Sequence, residues 1–313
     1  MAIELSGITF SNRADVVPLS GVEEIVNTGN ANTLAGNDVI TGTGSSNTDI
    51  SFGIHNWDGT EESTASINTG EGNDVITGTS SNNSYGFGIF NWGFINTGEG
   101  NDVITGAGTD YGIYNYSYTI YDYEIPSQWK SETRIDTGDG NDIIMGSSSG
   151  IAINNDGVIF TGNGNDSIIA YGNFYNFEAV YLGEGNDSIL VTGETFNGGS
   201  MFTGNGNDSI ITYGSFNREG YGSPVNLEGG NDYFYGFGSG SFNGGNGEDT
   251  LELPPGSYTI EIAFNTVSLT EDSTFTSPSQ KAMMTTFGFE QLIAGGTTYD
   301  FSSLTNGQTI FVA

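Results

Sequence analysis

A large apolar residue stands two positions after an aspartate at nine places along the chain: Ile40, Ile76, Ile104, Ile144, Ile168, Ile189, Ile210, Phe234 and Leu251. Apolar and polar residues alternate around these positions, as in VITG after Asp74 and SIIAYG after Asp166. A period of two describes a short strand with one face buried. The same register in nine copies predicts strands that stack, their inward residues joining into one core. Glycine then follows the strand, as at Gly78, Gly106, Gly146, Gly172 and Gly214, and marks the next bend.

The aspartates end turns of the form Gly-Asn-Asp, at Asp38, Asp74, Asp102, Asp142, Asp166, Asp187, Asp208 and Asp232, with a ninth variant, GGNGEDTLE, ending at Asp249. Successive intervals are 36, 28, 40, 24, 21, 21, 24 and 17 residues. The short intervals set the basic coil and the long ones contain insertions, such as Asp58–Ser66 and Ser117–Thr133. One copy, INTGEGNDVITG, occurs twice without change, at Ile67–Gly78 and Ile95–Gly106. A second motif precedes the turns: GIHNW at Gly53, GIFNW at Gly88, GIYNY at Gly112 and AINND at Ala152. It supplies a return strand, so each coil reads as turn, strand, turn, strand. The predicted fold is all-β, a right-handed parallel β-roll or β-helix solenoid. Residues 33–253 carry the repeats, while 1–32 and 254–313 keep strand-like alternation without the acidic turn and read as caps over the exposed edges.

Charge narrows the function. Five Lys+Arg stand against 38 Asp+Glu, a net charge of −33. No basic patch can be assembled for nucleic acid or an anionic membrane, so the expected partners are cations. Cysteine is absent, which removes disulfides and thiolate metal sites. The start, MAIELSGITFSNRADVV, has no basic stretch followed by a long apolar run, and no apolar stretch is long enough to span a bilayer. Export, if any, is expected to use a signal elsewhere.

Stacked coils lie ~4.8 Å apart, so corresponding aspartates form a column of like charges. Each neighbouring pair repels by ~0.9 kcal/mol at a dielectric of 80 and ~3.5 kcal/mol at 20. A divalent cation between turns removes that cost. The turn glycines permit φ > 0 and can aim carbonyls, while the aspartate supplies charge, a donor set suited to Ca²⁺. Mg²⁺ demands a tighter octahedron, and zinc is disfavoured with no Cys and the single His55.

The segment GGNGEDTLE at Gly244–Glu252 has the pattern G-G-x-G-x-D-x-U-x, and the TGEGNDVIT series repeats it with Thr first. On these residues the chain resembles the RTX, or hemolysin-type, calcium-binding repeat family, over about two thirds of its length. The resemblance implies that second- and fourth-position carbonyls and the sixth-position aspartate bind Ca²⁺ together with the next turn. Carried over, these are Gly70, Gly72, Asp74; Gly98, Gly100, Asp102; Gly138, Gly140, Asp142; Gly162, Gly164, Asp166; Gly183, Gly185, Asp187; Gly204, Gly206, Asp208; and Gly245, Gly247, Asp249. Two turns depart from the pattern. Leu34 and Glu228 hold the second position, leaving Gly36 with Asp38 and Gly230 with Asp232. Only one half of each coil has the motif, so ions are expected along one edge. The resemblance further implies a secreted or cell-surface protein, non-enzymatic, exported by a type I apparatus and folded by its ions.

Other residues allow competing readings. Glu71, Glu99, Asp139 and Glu184 at the third turn position read as solvated. Trp57, Trp92 and Tyr116, beside Phe52, Phe87 and Tyr111, read as stacked packing, with a glycan or cell-surface adhesion strip as the alternative. His55 stands where Phe90 and Tyr114 stand in sister copies and reads as a spacer. An ice-binding solenoid is disfavoured because the third turn position lacks Thr. No HExxH, GxSxG or GxxxxGK[ST] occurs, and no Asp/Glu pair outside the repeats stands out for catalysis.

Overall fold

The computed structural model describes residues 2–18, 23–45, 50–60, 63–81, 85–117, 133–217, 222–263, 266–271 and 282–313. The insertion predicted across 117–133 therefore lies mostly outside the described residues. The chain is a parallel β-solenoid.

The coils of Ile143–Asn155 and Ser167–Asn176 merge the first two of their three strands, whereas the earlier coils keep all three separate. In the second full coil they are Val75–Ser80, Tyr85–Asn91 and Phe94–Asn96. The turn-proximal strands stack in register, so that Ile40, Ile76, Ile104, Ile144, Ile168, Ile189, Ile210, Phe234 and Leu251 form one inward column, each at most 1% exposed. A second column runs Ile25, Ile54, Ile89, Ile113, Ile153, Phe174. A third runs Ala31, Ile67, Ile95, Ile135, Ile159, Val180, Met201. All three bury their side chains in a single core cluster. Burying an Ile is worth roughly 1.5–3 kcal/mol, so the columns supply the main driving force for stacking.

The return path predicted as one strand is thus split in two, and the reason is a bend at Asn-Trp-Gly or its equivalent. The asparagine there points inward. Asn27, Asn56, Asn91, Asn115, Asn155, Asn176 and Asn197 are all fully buried. Each Nδ2 donates to the Oδ1 of the next, at 2.7–2.8 Å from Asn27 through Asn197. The same amides also donate to bend carbonyls such as those of Gly93 and Arg134, so buried backbone is satisfied by a side-chain ladder. The opposite end of the coil is pinched where glycines meet. A Cβ on Gly78 would lie 2.2 Å from the carbonyl oxygen of Gly88, so no larger residue fits.

Pairing continues beyond the repeats. Val16–Val17 pairs with Val39 and Ile40, and Ile3–Glu4 with Ile25 and Val26. At the other end Gln291–Ala294 stacks on Thr250–Leu253, then turns back antiparallel as Thr297–Asp300. Antiparallel strands Gly256–Ala263, Thr266–Glu271 and Thr309–Val312 join the second sheet through Met283–Phe287, which itself stacks on Gly240–Asn243. Parallel stacking thus gives way to hairpins, which cover the last edge.

Candidate metal centre

Period two places Asp74 on the same face as Ile76, and the nine turn aspartates accordingly point inward, each 0–2% exposed. They are joined by hydrogen bonds rather than merely aligned. The backbone N–H of Asp38 donates to Asp74 Oδ1, that of Asp74 to Asp102 Oδ1, and so on to Asp249, at 2.7–2.9 Å. Asp15 starts the ladder by donating to Asp38, and Asp249 ends it by donating to Glu290 Oε2 at 2.8 Å. The neighbouring asparagines form a second, exposed ladder of the opposite sense. The N–H of Asn101 donates back to Asn73 Oδ1 at 2.8 Å, that of Asn141 to Asn101, and that of Asn165 to Asn141.

The other carboxylate oxygen is left over. Oδ2 of Asp38, Asp74, Asp102, Asp142, Asp166, Asp187, Asp208, Asp232 and Asp249 is buried without a hydrogen-bond partner. Threonine hydroxyls face several of these groups but spend their hydrogens elsewhere: Thr69 Oγ1 donates to the Thr97 carbonyl and Thr97 Oγ1 to that of Thr137. Burial first, with neighbouring aspartates adding, pushes Asp142, Asp187 and Asp232 up to about 7. Burial likewise brings Asp102 and Asp166 to about 6, and raises Asp74, Asp208 and Asp249. Bonds from the backbone N–H below pull each the other way and lose to desolvation.

The turn backbone is built for close stacking. Second-position glycines Gly70, Gly98, Gly138, Gly162, Gly183, Gly204 and Gly245 have φ from +87° to +112°. Fourth-position glycines Gly36, Gly72, Gly100, Gly140, Gly164, Gly185, Gly206, Gly230 and Gly247 have φ from +134° to +151°. Leu34 and Glu228 also take positive φ, at 77° and 69°, so the two departures from the motif keep the conformation at a cost. Leu34 stands in the first acidic turn of the column. At Gly70, by contrast, a Cβ would sit 1.6 Å from the Leu34 oxygen. The fourth-position carbonyls point along the stack, 1.5–1.7 Å from where the next glycine would carry a Cβ, and accept no N–H among the described residues.

These residues fit a hard cation by donor type: an unpartnered carboxylate oxygen at every level, fourth-position carbonyls that accept no N–H among the described residues, and no nitrogen or sulfur donors. They do not form a carboxylate cage. Among the described residues no three His, Cys, Asp or Glu side chains converge as metal ligands. An ion would take few carboxylate oxygens per level and complete its shell from carbonyls and water. Glu71, Glu99, Asp139 and Glu184 are exposed on the rim, where Asn163 Nδ2 bonds Asp139 and Asn205 Nδ2 bonds Glu184.

The aromatic residues stack in files along the solenoid, the second of them one residue before the acidic turns. Trp57 on Trp92 and Phe87 on Tyr111 have centroids 5.2 and 5.0 Å apart, within 5° of parallel. Phe160, Tyr181 and Phe202 form a second file, at 4.8 and 5.1 Å. Ring faces are thus turned on one another along the stack. A sugar would stack on a ring face, so this arrangement offers it mainly edges. His55 sits within the first file, 4.2 Å from Phe52, and burial lowers its pKa to about 4.

Glu290 and the buried asparagines were not singled out by the sequence. Glu290 lies outside every repeat, and only the fold brings it to the column. Asn56, Asn91, Asn115 and Asn155 were visible in the second motif, where their recurrence carried the signal. No protein-family model matches the chain, and no curated protein matches it.

Proposed function

We propose that the chain is a non-enzymatic calcium-binding solenoid of the RTX-like kind, in which ions occupy the acidic edge and complete its folding. The observation that carries this reading is the column of nine buried, unpartnered Oδ2 atoms. Left ionised, neighbouring charges repel by ~3.5 kcal/mol at a dielectric of 20. Protonation would remove the repulsion, yet it is only about half complete at neutral pH even for Asp142, Asp187 and Asp232, which burial raises to about 7. A hard cation resolves both, with Asp74, Asp102, Asp142, Asp166, Asp187 and Asp208 as charged ligands and fourth-position carbonyls such as those of Gly72 and Gly100 as neutral ones. Extracellular calcium modules bind at about 10⁻⁴–10⁻³ M. Such an affinity keeps the chain loose in a low-calcium cytosol and folds it outside, in keeping with a secreted or surface location and export by a type I apparatus.

The test compares circular dichroism and melting in EDTA, Ca²⁺ and Mg²⁺. Calcium is expected to raise the melting temperature well above the EDTA value, with Mg²⁺ much less effective. A melt indifferent to calcium sinks the reading. The adhesion alternative gains no specific support, because the aromatic files present edges.

A further inference from the structure

The first aromatic file is broken at one level. Residues at the bend stack because the N–H of each donates to an asparagine carbonyl one level earlier: Trp92 to Asn56, Tyr116 to Asn91, Asp156 to Asn115 and Phe177 to Asn155. The bend position therefore runs Trp57, Trp92, Tyr116, Asp156, Phe177. Two residues earlier, the strand register gives His55, Phe90, Tyr114, Asn154, Tyr175. Rings fill both positions at every one of these levels except that of Asn154 and Asp156.

Asp156 is half-buried, and buried charges are normally paired. Among the described residues no Lys or Arg pairs with it, and Arg134 is held by Asp136. Its partners are neutral. Asn154 Nδ2 donates to its Oδ1 at 3.0 Å, and the Tyr114 hydroxyl bonds it from the level below. Burial raises its pKa against those two bonds, as befits a charge without a counterion. Ring pairs bracket it at right angles. Tyr114 and Tyr116 lie edge to face one level below, 5.2 Å between centroids and 87° between planes. Tyr175 and Phe177 do the same one level above, at 6.4 Å and 87°. Levels two apart are separated by ~9.6 Å, so a centre midway lies ~4.8 Å from each, inside the ~6 Å reach of a cation over a ring.

We propose that Asp156, Tyr114, Tyr116, Tyr175 and Phe177 form a binding site for a quaternary ammonium ion such as choline. Asp156 supplies the charge and the rings supply the walls. The methyl groups of such an ion ask for no hydrogen-bond acceptors, whereas a primary ammonium has three donors to satisfy. A calcium ion is not served, because one carboxylate among rings falls far short of its 6–8 oxygens. The net charge of −33 draws cations to this surface and turns anions away. The site is separate from the acidic turns and does not depend on what fills them.

The experiment is calorimetric titration of the full-length chain with choline, at constant ionic strength and with calcium present. Wild type is expected to show a single saturable site, and the neutral carbon isostere of choline is expected not to bind. Asp156→Asn, which keeps an acceptor for Asn154 and Tyr114, is expected to weaken choline about fivefold or more, and Phe177→Leu likewise. Phe202→Leu, in the other aromatic file, leaves binding unchanged. Circular dichroism checks the fold of each variant. Phe177 is 47% exposed, so its variant carries the test if Asp156→Asn does not fold. Competition by phosphatidylcholine vesicles assigns the ligand to a lipid headgroup and its absence assigns it to a free solute, the site standing in either case. No choline binding by wild type, equal binding of the isostere, or binding unchanged in the Asp156 and Phe177 variants overturns the site.

Discussion

Asp187 Oδ1 accepts the backbone N–H of Asp166 at 2.7 Å, while Asp187 Oδ2 is buried with no partner. One carboxylate thus does two separable things: it closes a ladder bond and it holds charge.

Asn and Ala substitutions separate them. Asp187→Asn keeps an acceptor for the Asp166 N–H and removes the charge. In EDTA at pH 7 it is expected to melt at or above wild type, while calcium titration shows weaker binding at its neighbours. Asp187→Ala removes both, and leaving a buried N–H unsatisfied costs about 1–3 kcal/mol even without calcium. Urea titration of the two variants with and without EDTA distinguishes the roles. Equal melting of Asn and Ala variants in EDTA would contradict the ladder bond.

The metal-free chain should be most stable in acid. Asp102 and Asp166 titrate near 6, and Asp142, Asp187 and Asp232 near 7, all raised by burial. A folded pKa above the ordinary 3.8 means the folded chain binds these protons more tightly than the unfolded one. That stability is fully present below the ordinary value and is lost as pH rises through 6 to 7. Urea midpoints in EDTA should therefore fall across pH 5 to 8. Saturating calcium should flatten or reverse the trend, since the ion binds the ionised form. Midpoints in EDTA that rise with pH would oppose the assignment.

The asparagine ladder is expected to act independently of calcium. Asn91 accepts from Asn56 and donates to Asn115, Gly93 and Arg134. Asn91→Ala removes all four bonds in a fully buried place, a loss of ~3 kcal/mol or more. The drop in urea midpoint should be similar in EDTA and in calcium. A loss confined to calcium-loaded protein would mean the two ladders are coupled.

Turn glycines should tolerate nothing larger. A Cβ on Gly100 would stand 1.5 Å from the Gly72 oxygen, at a φ of +145°. Gly100→Ala is predicted to cost more than ~4 kcal/mol, beyond the usual range for one substitution. Leu34 already carries a Cβ at φ +77°, so Leu34→Ala should be mild. Glu228→Gly should stabilise by about 1 kcal/mol, by relieving the left-handed backbone at φ +69°. Melting temperatures of the three decide it.

Much of this was readable from residues. The Ile40 to Leu251 column, and the positive φ of Gly70 and Gly72, follow from period and turn chemistry. The inward aim of Asp74 was also implicit, since it lies two residues from Ile76. The bend was less visible, because an asparagine before Trp-Gly has the same local signature whether it faces water or core. Its buried role depends on the asparagine above and below. Glu290 could not be read from the repeat at all: it reaches Asp249 from 41 residues away in sequence, through a hairpin cap with its own pattern.

The opposed senses of the aspartate and asparagine ladders have an architectural corollary. The aspartate bond repeats from Asp38 to Asp232, so neighbouring levels are related by approximate translation along the axis, the turns with Leu34 and Glu228 being local departures. Its length can change in whole steps. Excising Ser188–Asp208 would place Ser209 directly after Asp187, as Ser188 stands now, and let Asp187 meet Asp232 as Asp208 does. The shortened protein should fold as the same object one ~4.8 Å step shorter. The solenoid is a ruler whose graduations can be removed or added without redrawing the scale.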